Sequence, residues 1–167
     1  FAGYGYFKPH YYCDVIDQGG WRALRREIKS SPQDEKKWLA AAKNIESGRA
    51  ELVHADGSSH LRPECLQPEL ALREQADVFP APFSDKLRNA LFRDLCITKL
   101  PRVLRMNDRV SMAYGLELRQ PLIDHRLVEY AFRLPGNKKI REGNGKFILR
   151  HAMRHDLPNK IRNSAKR

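Results

Sequence analysis

Apolar positions recur at helical spacing through most of this chain. Trp21, Leu24 and Ile28 share one face of a helix predicted over 21–29, entered from Gly19-Gly20. The opening Phe1-Ala2-Gly3-Tyr4-Gly5-Tyr6-Phe7 is aromatic and Gly-rich and is read as a helix start that Pro9 ends. Ser31-Pro32 predicts the next helix, with Ser31 as N-cap and Pro32 in the first turn. Trp38, Leu39, Ala42 and Ile45 form its apolar stripe, and Gly48 is its stop.

The pattern breaks over 48–82, where Asp56-Gly57-Ser58-Ser59 reads as a turn and Pro63, Pro68, Pro80 and Pro82 interrupt any long element. That stretch is predicted to be irregular, with at most one short helix over 69–75. Periodicity returns at Ser84, a predicted N-cap, and continues through Leu87, Ala90, Leu91 and Leu95. Pro101 restarts a helix that runs through Ala113 and stops at Gly115. Asp124 is a predicted N-cap with Ile123 and Val128 as its hydrophobic staple, opening a helix over 125–134 that Pro135-Gly136 closes. A last helix is predicted from Lys146 to about His155. The fold class is therefore mainly α, with short connections.

Charge narrows the chemistry. The 167 residues carry a net charge of +11. Residues 1–100 are nearly balanced, with 15 Lys/Arg against 14 Asp/Glu, so almost all the excess lies in 101–167. A basic block of this kind favours polyanions: nucleic acid, an acidic surface, or a nucleotide and its pyrophosphate. Cys13, Cys65 and Cys96 are odd in number and widely spaced, which argues against a disulfide framework and for a reducing, cytoplasmic setting. No apolar run reaches membrane-spanning length, so no membrane partner is expected.

Three constellations stand out. Arg102, Arg105 and Arg109 are spaced three and four apart on one helix face with Asp108 beside them; they read either as a solvated face with an intrahelical ion pair or as phosphate contacts. Glu117 and Arg119 are two apart on extended chain, read most simply as a partly buried ion pair pinning a loop. Lys146 follows Gly143-Asn144-Gly145 and is read in the first turn of a helix, where a cation is locally unfavourable. A bound phosphate reconciles that lysine with the glycines and the free helix amides; a solvated loop lysine is the alternative. His151 and His155 are four apart, but no third ligand accompanies them, so no metal site is expected.

The order of these residues matches a known pattern. Leu104, Arg105, Asp108, Arg109, Ser111, Met112, Ala113, Glu117, Arg119, Pro121, Asp124, His125 and Arg126, followed by Gly145-Lys146, Ile148-Leu149-Arg150, Leu157-Pro158 and Ile161-Arg162, resemble the synthetase domain of the glutamine-hydrolysing asparagine synthetases. The resemblance is densest over 84–167; residues 1–83 are similar only as a variable helical part, apart from the opening aromatic segment. It implies the helical C-terminal portion of an α/β domain of the PP-loop ATP pyrophosphatase type. It also implies an ATP-dependent ligase that adenylates aspartate with Mg-ATP, then lets ammonia displace AMP, the ammonia coming from a partner glutaminase domain.

By position, the resemblance implies that Lys146 contacts the departing pyrophosphate, with Gly145, Arg105 and Arg109 as pyrophosphate- or substrate-binding residues. Asp108, Glu117, Arg119 and Asp124 take supporting roles. The SGG.DS loop that would wrap ATP, the acidic segment that would bring Mg2+ ligands and the N-terminal cysteine nucleophile are not in this sequence, and Leu122-Ile123 stand where Phe-Leu is usual. The resemblance thus implies a partial domain, 1–167, expected to be inactive alone. Relatives acting on another carboxylic acid, such as β-lactam-forming synthetases, remain an alternative, as does a basic helical nucleic-acid-binding module. The interleaved aromatics that base stacking requires are missing, so no nucleic-acid partner is expected.

Overall fold

The computed structural model describes residues 5–28, 35–46 and 79–162. The chain divides into two units, one formed by residues 1–48 with 122–167 and the other by residues 49–121. The predicted irregular segment lies largely outside the described residues, as do Ser31, Pro32, Gly48 and Cys65.

In the first unit, a 3-10 turn at Gly5–Phe7 leads into α1, Lys8–Ile28. Pro9 sits in the first turn of α1 rather than ending a helix. Its missing N–H falls where a helix has no partner to offer, so the ring is tolerated there. Gly20 breaks α1 with φ 66° and ψ −173°. Open space surrounds the position of its absent side chain, so the backbone angle rather than packing calls for glycine. The second half of α1 coincides with the helix predicted after Gly19-Gly20. Helix α2, Glu35–Glu46, packs on α1. Phe7, Tyr11, Tyr12, Cys13, Leu24, Ile28 and Ala42 are buried, and the Cys13 thiol donates to the Ala42 carbonyl at 3.4 Å. Cys13 is thus a small core residue.

In the second unit, α3 (Lys86–Cys96) packs on α4 (Lys99–Met112). The cap of α3 is Asp85 and not Ser84: its carboxylate accepts from the Arg88 amide at 2.8 Å and pairs with the Arg88 guanidinium. A charged acceptor satisfies an orphan amide and meets the positive helix end as well, which a hydroxyl does less strongly. Asn89 holds the approach to the helix by bonding both the N–H (2.9 Å) and the carbonyl (2.8 Å) of Phe83. Gly115, at φ 66°, lies beyond the end of α4, and the Leu116 amide returns to the Ser111 carbonyl at 3.0 Å, as predicted for a glycine stop.

The first unit resumes after a 3-10 turn at Pro121–Ile123. Helix α5, His125–Arg133, begins at the expected cap, Asp124. Then come the one-turn helix α6 (Gly136–Lys139), strands β1 (Ile140–Arg141) and β2 (Asn144–Gly145), and helices α7 (Phe147–Ala152) and α8 (Asn159–Arg162). The mainly helical class holds. The antiparallel hairpin β1–β2 and the short helix α8 are not in the sequence reading, and α7 is shorter than the helix predicted over 146–155. Among the described residues no helix is long and apolar enough to cross a membrane.

Candidate functional site

The hairpin gives Lys146 its setting. Ile140 pairs with Gly145 and Arg141 with Asn144, leaving Glu142-Gly143 as a two-residue connection. Both loop residues have positive φ, 52° and 72°, the combination that matches a tight turn to the right-handed twist of its strands. Gly143 adopts this freely; Glu142 does so against the crowding of its Cβ. Ile140 is fully buried, and β1 lies against α1.

Lys146 is not inside the first turn of α7 but immediately before it, as N-cap, with φ 57° and ψ 32°. Its carbonyl accepts the first helical bond, from the Arg150 amide at 3.0 Å, and its side chain is exposed. A left-handed lysine is a strained choice that neighbouring contacts must hold in place. Arg150 supplies one contact: its Nε donates to the Gly145 carbonyl at 3.1 Å, and its Nη1 donates to the Arg162 carbonyl. Arg141 lies over the Phe147 ring at 5.2 Å, and the exposed His151 ring stacks on Phe147.

Glu27 supplies another. Its Oε1 accepts from the Glu142 N–H, and the Gly143 amide and the Tyr11 hydroxyl face the same carboxylate. Burial lifts the Glu27 carboxyl above its ordinary value of 4.5, against the lowering effect of the two amides and of Tyr11. Burial, then the charge of Glu27, lifts the Tyr11 phenol well above its usual range, so it stays protonated and donates. A carboxyl raised in the folded state contributes stability that is complete below 4.5 and is lost as pH rises through the raised value. Glu27→Gln is therefore expected to remove one pH-dependent component. The stability of the native chain minus that of the variant should fall between pH 4 and neutrality, read by urea unfolding at a series of pH values.

The remaining predicted residues fall as follows. Asp124 caps α5, accepting from the Arg126 amide at 2.9 Å, and its two oxygens grip the Arg126 guanidinium at 3.0 and 2.9 Å. That guanidinium, followed by the Arg126 and Leu127 amides, holds the Asp124 carboxyl below its ordinary range. The cap reading of Asp124 is thus direct. Arg105, Asp108 and Arg109 are exposed on α4, in the second unit. Among the described residues Asp108 makes no ion pair with either arginine: the Asp108 carbonyl, not its carboxylate, is engaged, by the Ser111 hydroxyl at 3.1 Å.

Glu117 and Arg119 pair at 2.8 Å, but their side chains are 70% and 83% exposed, so the pair is solvated rather than partly buried. The two side chains meet, but the segment has no cover. Glu27, Tyr11 and the bracing role of Arg150 escaped sequence reasoning. Glu-Gly is outside the usual hairpin dipeptides, and Glu27 meets its partner 115 residues away.

Comparison with known proteins places the chain. The asparagine synthase family model matches residues 1–167, and the chain belongs to that family. Asparagine synthetase [glutamine-hydrolyzing] 3 of Bacillus subtilis is 40% identical over 77 residues, covering 46% of this chain and 12% of the relative. The asparagine synthetase [glutamine-hydrolyzing] of Gallus gallus is 40% identical over 57 residues, 32% of this chain and 10% of the relative. Asparagine synthetase [glutamine-hydrolyzing] 1 of B. subtilis is 33% identical over 64 residues, 38% of this chain and 10% of the relative. The matches thus span about a tenth of the length of these relatives. No solved structure matches the chain significantly.

Proposed function

We propose that this chain forms the pyrophosphate side of an ATP-dependent carbon–nitrogen ligase that converts aspartate to asparagine. The carrying observation is the exposed Lys146, fixed in left-handed backbone at the exit of a braced hairpin. In this reading an oxygen of the substrate β-carboxylate attacks the α-phosphorus of ATP. The bond to the bridging oxygen breaks, leaving β-aspartyl-AMP and pyrophosphate. Ammonia, from a glutaminase domain acting on glutamine, then displaces AMP. Negative charge builds on the leaving pyrophosphate, and a cation already in place stabilises that charge more than it stabilises bound ATP.

Lys146 takes that role, and Gly145, free of a side chain, lets the phosphate approach. Arg105 and Arg109 offer bidentate donors for substrate or pyrophosphate oxygens. The supporting roles of Asp108, Glu117 and Arg119 rest on the resemblance alone, and Asp124 remains a cap. Family membership and the activity named in the relatives support this reading. The described residues contain no cluster of three or more His, Cys, Asp or Glu side chains suited to a metal, so Mg2+ is assigned to none of them.

The test is exchange of labelled pyrophosphate into ATP by the full-length gene product. Aspartate-dependent exchange is the expected result. Exchange with a different carboxylic acid would keep the adenylation and move the substrate to that of a β-lactam-type or other amidotransferase relative. Absence of exchange with every acid tried would sink the proposal.

A further inference from the structure

In a two-residue hairpin the amides of the two loop residues have no ladder partner and normally turn to water. Here the loop is Glu142-Gly143: the Glu142 amide donates to the carboxylate of Glu27, on the distant helix α1, and the Gly143 amide lies toward the same carboxylate. Successive amides converging on an anion form a small backbone nest, and hydrogen bonds to a charged acceptor are among the stronger ones. The Tyr11 hydroxyl adds a third donor from the first half of α1 and fixes the carboxylate in turn.

The turn needs this help. Glu142 occupies a left-handed position that Asn or Asp suits better, and its carboxylate pairs with the neighbouring Arg141 at 3.7 Å. Lys146 repeats the strain three residues after Gly143. Strained backbone of this kind persists where the surroundings over-determine it, and it clusters at functional sites. Glu27 fixes the start of the segment 142–146 and Arg150 fixes Gly145 near its end, so the direction of Lys146 is set from both sides.

We infer that Glu27 is a positioning residue of the adenylation site: by holding the Glu142–Gly143 turn it aims Lys146 at the phosphates. Glu27 acts through the hairpin. The inference rests on the reading of Lys146 as the pyrophosphate contact, and the test separates the two.

The experiment combines deuterium uptake by the peptide spanning 141–147 with ATP–pyrophosphate exchange in the full-length gene product. Native protein, Glu27→Ala, Glu27→Gln, Lys146→Met and the Glu27→Ala/Lys146→Met pair are compared. Glu27→Ala is expected to speed uptake in that peptide about tenfold, the scale of a lost bond to a charged acceptor. It should also lower kcat about tenfold with a smaller change in the KM for ATP, the scale of a misplaced catalytic group.

Glu27→Gln keeps an oxygen acceptor and should recover most of both effects, which guards against reading a misfolded alanine variant as positioning. In the Lys146→Met background Glu27→Ala should lower the rate no further, because one residue acts through the other. A purely structural role would give additive losses and would overturn the inference. Unchanged uptake, or faster uptake with unchanged kcat, would overturn it too. Absence of exchange in the native protein would sink the reading of Lys146, and the catalytic consequence with it. That case is told apart because the uptake of the Glu27 variants still reports whether the turn is held.

Discussion

Lys146→Gly is expected to slow pyrophosphate exchange on the order of 10²–10³-fold while leaving the protein as stable as before, or more so. Lysine at φ 57° and ψ 32° lies in the left-handed region, which L side chains enter at a cost of about 1–2 kcal/mol. Glycine enters it freely, though its unfolded chain has more entropy to lose, so the net change should stay within about 1 kcal/mol and favour the variant. The charge is lost outright. Removing one preorganised contact to a developing anion lowers rates on the order of 10²–10³-fold, and exchange should drop by that amount.

Lys146→Met separates the two effects. It keeps the strained backbone and the apolar stem but not the cation, so it should lose activity equally and show no gain in stability. The pair of measurements is exchange rate and urea midpoint. Exchange by Lys146→Gly within a few-fold of native would remove the lysine from the reaction.

A large stability effect is expected at Ile140. This side chain has no exposure, sits on the first strand of the hairpin and packs where β1 meets α1. Ile140→Ala removes buried methyl groups and leaves a cavity that the short strand closes only in part. A loss of about 3 kcal/mol is expected, and about 1 kcal/mol for Ile140→Val. The consequence reaches the site: Ile140 is the residue paired with Gly145, directly before Lys146. Ile140→Ala should therefore speed deuterium uptake over 141–147 and slow pyrophosphate exchange, whereas an equally costly change at Leu87, buried in the second unit, should leave uptake over 141–147 unchanged. Equal uptake responses from the two sites would show that the hairpin is not anchored by Ile140.

Local signals carried the helices. Leu24 and Ile28 on one stripe, Gly20 at the break, Gly115 beyond the end of α4 and Asp124 at the start of α5 all express preferences of a few neighbouring residues, and those preferences survive folding unchanged. The family was legible for a related reason: the order from Arg105 to Arg126 and on to Lys146 is a linear property. Cap identity was less secure, since Ser84 and Asp85 are both good caps and geometry chose the stronger acceptor.

The chain order of its residues thus determined this protein's helical segments, its family and the lysine worth testing. Tertiary structure alone decided how that lysine is held. The hairpin of 140–145 is too short and too unlike the usual turn dipeptides to announce itself. Its turn is fixed by a carboxylate 115 residues away, and Glu117–Arg119, which the sequence suggested was partly buried, is left in solvent. Burial and long-range hydrogen bonds depend on which surfaces meet, and no window of sequence contains that information.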